Sequence, residues 1–205
     1  MTSWLHEQRL EAVRAEVLGA GVRSVLDLGC GDGDLFVRLA AEPALTRLVG
    51  IDICADSLDR LRGRLNTQPV SAGSIELRHA SMTEFDPALA GFDCAVLIET
   101  IEHIDPSHLS RLERAVFGGM RPRIVVLTTP NAEFNPLLGV PPHRFRHPDH
   151  RFEWPRARFQ SWGRRVARVW NQDVRFRDIG GYHPELGGAS QMAVFRKRPE
   201  AGATG

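Results

Sequence analysis

The chain has 205 residues, 42% of them hydrophobic and 25% charged, with a formal net charge of +1. That suits a globular domain with a sizeable core. No apolar run nears the ~20 residues of a membrane span, and the charged N-terminus lacks the apolar centre of a signal peptide, so a cytoplasmic protein is expected.

In chain order, Glu7–Leu18 reads as a helix with Leu10, Val13, Val17 and Leu18 on one side. Ser24–Leu28 is a short apolar strand running into a glycine loop, followed by a helix over Asp34–Ala41. Arg47–Ile53 is the second strand and Ala55–Leu65 the next helix. Ile75–His79 and Phe92–Ile98 are the third and fourth strands, with a helix over Ser107–Phe117 after the latter. Arg123–Thr128 is the fifth strand, and the stretch from Pro130 to His150, rich in Pro and Asn, is irregular. Trp154–Trp170 reads as a helix, and Val174–Ile179 and Gln191–Arg196 as two last strands. One domain over residues 1–198 and a disordered tail over 199–205 are expected.

Strand and helix alternate through five units, which predicts an α/β fold with a mostly parallel sheet covered on both faces. The last two strands are too close for a helical crossover and are expected to pair as an antiparallel hairpin on the sheet edge. Seven strands with that ending resemble the Rossmann-like methyltransferases. Open sheets of this kind bind ligands at the carboxyl ends of their strands.

The loop after the first strand reads Asp27-Leu28-Gly29-Cys30-Gly31-Asp32-Gly33. Its glycines permit a tight turn and let a ligand lie against the backbone. Asp52 ends the second strand, 19 residues beyond Gly33, where a carboxylate can accept hydrogen bonds from ribose hydroxyls. The wording resembles motif I of the methyltransferases that use S-adenosylmethionine (SAM). Asp27, Gly29, Gly31, Gly33, Asp52 and Ile53 are therefore cofactor-binding candidates, with Ser81 and Met82 flanking the adenine.

Glu99, Glu102 and His103 follow the fourth strand at i, i+3 and i+4, so a helical turn would put all three on one face. Oxygen-rich ligands with some nitrogen suit Mg²⁺ or Mn²⁺ better than zinc. The three cysteines, Cys30, Cys54 and Cys94, have no CxxC spacing and are expected as free thiols. A second histidine group, Arg146-His147-Pro148-Asp149-His150-Arg151, lies in the loop after the fifth strand and could complete the metal shell. From Arg144 to Arg177 there are ten arginines against three acids, Asp149, Glu153 and Asp173. Such a stretch can hold phosphates, or can simply be a solvated surface.

Three motifs in this order, Glu99-Thr100-Ile101-Glu102-His103, Thr129-Pro130-Asn131-Ala132-Glu133-Phe134-Asn135 and Phe145 to Trp154, resemble the Hen1 family of small-RNA 3′-terminal 2′-O-methyltransferases. The resemblance runs from about Leu5 to Phe195. It implies SAM as methyl donor and one divalent cation on Glu99, Glu102, His103 and His150, with His147 competing for the last place. It implies an RNA 3′ end with free 2′- and 3′-hydroxyls as substrate and no membrane. It also implies catalytic roles for the same four ligands, His103 or His150 being able to take the hydroxyl proton. Bacterial members often carry this domain in a longer protein that works with an RNA end-healing and ligating partner in RNA repair. Trp154, Phe159 and Trp162 could stack on RNA bases, but their helical spacing favours core packing. Two other readings share the fold: an O-methyltransferase for a small diol such as a catechol, and a subunit that only binds RNA.

Overall fold

The computed structural model describes residues 4–199. Helix α1 (Trp4–Gly19) precedes strand β1 (Ser24–Leu28). Then follow α2 (Phe36–Ala40), β2 (Arg47–Asp52), α3 (Ala55–Leu65), β3 (Ile75–His79) and β4 (Cys94–Ile98). Helix α4 (Leu109–Glu113) continues as a wider π turn over Arg114–Met120 into β5 (Ile124–Pro130). Helix α5 (Arg156–Val169), β6 (Gln172–Ile179) and β7 (Ser190–Lys197) complete the chain.

The seven strands form one sheet in the order β3-β2-β1-β4-β5-β7-β6. β1 to β5 pair parallel with their neighbours, whereas β7 runs antiparallel to both β5 and β6. The α/β fold read from the sequence is therefore present. The last two strands pair antiparallel as expected, but β7 lies inside the sheet and β6 takes the edge. Burial accounts for this order: β7 is buried along Ser190–Phe195, whereas β6 exposes Asp173, Arg175, Arg177 and Asp178 to solvent.

Successive residues of a strand point to opposite faces, and here each face has its own core. Leu26, Leu28, Ala95, Leu97, Val125 and Leu127 pack under α4 and α5 with Phe159 and Trp162. Val25, Leu48, Cys94, Val96, Ile124 and Val126 pack under α1, α2 and α3. The strand order reverses between β2-β1 and β4-β5, so the loops after β1 and β4 open onto the same crevice. Residues 200–205 of the expected tail lie outside the described residues. No helix of the described residues is long and apolar enough to cross a membrane. Cys30, Cys54 and Cys94 are free.

Candidate active site

The loop after β1 adopts left-handed backbone at Gly29 (φ 80°), Gly31 (φ 53°) and Gly33 (φ 84°). A Cβ at Gly29 would meet Thr100 Cγ2 at 2.7 Å, so this position is held to glycine by conformation and by space. Asp52 fixes the loop: Oδ2 accepts from Gly31 N and Oδ1 from Cys54 N, both at 2.8 Å. Asp27 lies beneath it, 3% exposed. Burial, and then the nearby charge of Asp52, push the Asp27 carboxyl up to about 7.

The glycine loop faces a cleft of about 570 Å³ that is also lined by Asp52, Ile53, Met82, Glu99, Thr100, His103 and Asp149. Ile53 is 69% exposed, an apolar side chain held at the mouth of the cleft. Ser81 is not on this lining; its hydroxyl closes a local turn with Thr83.

Beyond β4 the chain turns sharply. Glu99 has φ 52°, an uncommon left-handed conformation for a residue with a side chain, and Ile101–His103 form a 3₁₀ turn. This geometry splits the expected triplet. Glu102 points inward, fully buried, and its Oε2 accepts from Thr129 Oγ1 at 2.9 Å. Burial, and then the charge of Glu99, push the Glu102 carboxyl well above the ordinary range. One oxygen of each acid, Glu99 Oε1 and Glu102 Oε1, is buried without a hydrogen-bond partner. Across from Glu99, Arg9 of α1 places Nη1 at 3.4 Å from Oε2.

His103 points outward, where the loop after β5 meets it. Ligand nitrogens of His103, His147 and His150 lie within 4.8 Å of one another. Glu99 and Glu102 stand outside that triad, so the structure brings together both predicted histidines and adds the competing one. Burial first, and then the charges that His150 and His147 would carry, hold the His103 pKa below the ordinary imidazole value.

The histidine loop is fastened by residues that the sequence did not mark as functional. Glu153 Oε1 lies 2.6 Å from His150 Nδ1. A carboxylate only accepts, so Nδ1 donates, which in the neutral ring leaves the lone pair on Nε2. Burial raises the Glu153 carboxyl, but hydrogen bonds from His150, Asn135 and the Arg146 backbone outweigh it, and the net shift is downward. Arg146 donates to Asn135 Oδ1 and to the carbonyls of Ala189 and Asn131. Arg151 N donates to the Glu102 carbonyl at 2.7 Å, tying the loop to the turn after β4. Trp154 at the end of the loop and Phe159 and Trp162 on α5 were legible as core, and they are 4%, 0% and 8% exposed.

A family profile described as "Methyltransferase domain" matches residues 25–123, which span β1 to the start of β5. The methyltransferase domain of bacterial CtHen1 superposes with a TM-score of 0.84 at 36% identity, over 95% of this chain and 100% of that one. The chain belongs to the Hen1 family of methyltransferases. The small RNA 2′-O-methyltransferase of Rattus norvegicus is 39% identical over 94% of this chain. Only 51% of that protein is covered, so the chain spans about half the length of this Hen1 relative. A structure of the Pnkp1/Rnl/Hen1 RNA repair complex shares the fold, with a TM-score of 0.68 at 20% identity, over 96% of this chain and 42% of that one. Of the Hen1 motifs, Glu99 to His103 and Phe145 to Trp154 line the cleft through Glu99, Thr100, His103 and Asp149, and Thr129 to Asn135 touches that wall through the Thr129 hydrogen bond to Glu102.

Proposed function

We propose that this chain transfers the methyl group of SAM to the 2′-hydroxyl of the 3′-terminal nucleotide of an RNA, using one divalent cation. The observation that carries this reading is a single cleft lined by both the glycine loop and Glu99 with His103. Methyl donor and acceptor must meet within such a space.

Gly29, Gly31 and Gly33 would lie along SAM, and Asp52, with Ile53 and Met82, would border its ribose and adenine. The donor set fits a cation: two buried carboxylate oxygens lack partners, and three imidazoles crowd together. Glu99, Glu102, His103 and His150 would hold it, with His147 as a further candidate; the two acids, which stand outside the histidine triad, would have to turn toward it. When bound, the cation supplies charge that favours the 2′-alkoxide. Residues of the chain supply the rest. The 2′-hydroxyl proton passes to a triad histidine whose lone pair the cation leaves free; His103, biased toward its neutral form, would accept it only in place of ligating the cation. The new oxygen–carbon bond forms as the sulfur–methyl bond of SAM breaks, leaving S-adenosylhomocysteine. Hen1 relatives named for small RNA favour an RNA over a catechol. We extend to this chain an RNA end-healing and ligating partner, as in the repair complex.

The test uses radiolabelled SAM and a short RNA ending in a 2′,3′-diol, a 2′-deoxy sugar or a 3′-phosphate, with EDTA and with Mn²⁺ or Mg²⁺ restored. Labelling of the diol end alone, lost with EDTA and recovered with metal, is expected. Labelling indifferent to end chemistry and metal would overturn the mechanism.

A further inference from the structure

A groove of about 820 Å³ runs between the start of α4 and the outer face of α5, beside the catalytic cleft and separate from it. Trp154 and Trp162 line it together with Arg158, Arg164, Arg165 and Arg168. Two of its lining residues lie close to the histidine triad along the chain: Pro106 follows His103 by three residues and Trp154 follows His150 by four. Along α5, Arg158, Ser161, Arg165 and Arg168 recur at i, i+3, i+7 and i+10 and share one face. At ~1.5 Å per residue, Arg158 and Arg168 stand about 15 Å apart along the helix axis.

Three of the four guanidiniums lining the groove, Arg158, Arg164 and Arg168, are not neutralised. Arg38, Arg60, Arg62 and Arg78, on other surfaces, are each paired with an acid. Among the described residues, no carboxylate lies within ion-pair distance of Arg158, Arg164 or Arg168. Arg165 is engaged: it donates to Glu113 at 2.9 and 2.6 Å, and Glu113 also accepts from Trp162 Nε1. Arg158 lies over the Trp154 ring at 5.2 Å and Arg164 over Phe176 at 5.5 Å, so two guanidiniums are steadied without being discharged. The indole nitrogen of Trp154 is buried without a partner. The unpaired forks of Arg158, Arg164 and Arg168 along one groove suit a chain of phosphates.

We infer that this groove is the track for the sugar–phosphate backbone of the nucleotides upstream of the RNA 3′ end. The inference rests on the reading of the substrate as an RNA end, and it says where the rest of that RNA lies. The terminal nucleotide enters the cleft past His103 and His150. The preceding phosphates descend the α4–α5 groove past Arg158 toward Arg164 and Arg168.

The test compares the full chain with R164A/R168A and with a control, R23A/R62A, whose exposed arginines lie outside the groove. Fluorescence anisotropy with a short labelled single-stranded RNA reads affinity, and methyl transfer reads KM and kcat. Thermal melts check that all three proteins are folded. R164A/R168A should weaken RNA binding about tenfold and lower the slope of log affinity against log salt by about 1.4, two contacts at ~0.7 each. KM for the RNA should rise with kcat unchanged, and a ribodinucleotide, too short to reach these arginines, should keep its KM. Equal affinity and salt slope in R164A/R168A and the control would overturn the track. If no RNA end accepted a methyl group, the substrate reading would fail, yet the anisotropy comparison would still decide the groove.

Discussion

At the scale of single residues, the proposed ligands are fixed by side chains that would themselves touch no reactant. Glu153→Ala would leave His150 Nδ1 without its acceptor and free the ring to turn. Activity and Mn²⁺ affinity should each fall about 10–100-fold, and titration calorimetry with the metal alone checks the second independently. Glu102 offers the opposite test. Its carboxyl is fully buried and pushed strongly toward the neutral form, so Glu102→Gln removes a burden from the metal-free fold. The expected result is a melting temperature at or above wild type with methyl transfer reduced at least about a hundredfold. A variant that kept full activity would exclude the acid from the cation shell. Gly29→Ala should weaken SAM binding by more than about tenfold, because the added methyl meets Thr100 in a left-handed turn. Equilibrium dialysis with labelled SAM measures it.

At the scale of elements, α5 is pressed hard onto the sheet. A Cβ on Gly163 would meet Phe176 at 2.8 Å, and Phe159 beneath it is fully buried. Phe159→Ala should lower stability by about 3–5 kcal/mol in a denaturant titration, with the histidine loop loosened as well. Elements governed by local pattern were legible in the sequence: Ala55–Leu65 and Ile75–His79 occur with the bounds read from it. Elements governed by distant partners were not. β5 extends through Pro130 because Ser190 pairs with it, and no local signal in Thr129-Pro130 announces that. The helix expected over Ser107–Phe117 widens into a π turn where Gly118 admits the Trp170 ring and Gly119 admits Phe85. The glycine loop and the acid–histidine residues were legible as short motifs. The Arg9 contact to Glu99 was not, since it joins residues 90 positions apart on elements with unrelated periodicities. Helical spacing likewise suggested one shared face for Glu99, Glu102 and His103, whereas the left-handed Glu99 sends the acid and the histidine apart.

At the scale of the whole molecule, the cofactor loop makes metal-free, cofactor-free stability depend on pH. Asp27 ordinarily titrates near 3.8 and is raised to about 7 in the fold. The folded state therefore holds a proton that the unfolded state releases between these values. Stability is fully present below pH 3.8 and is lost as pH rises toward 7. Asp27→Asn should flatten that part of the melting-temperature profile. The sheet order has a consequence in time. β5 is buried along its whole length, yet its outer edge is covered only by β7, which follows it in the chain after α5 and β6. Until β7 is made, a long apolar edge waits unpaired, the condition that invites mispairing with other chains. The histidine loop waits with it, because Gln191 donates to the carbonyls of Pro130 and Trp154, and Arg146 reaches the Ala189 carbonyl. A nascent chain halted before Ser190 would carry every proposed metal ligand and still lack the strand that sets them in place, so the proposed site would be assembled only once β7 had been made.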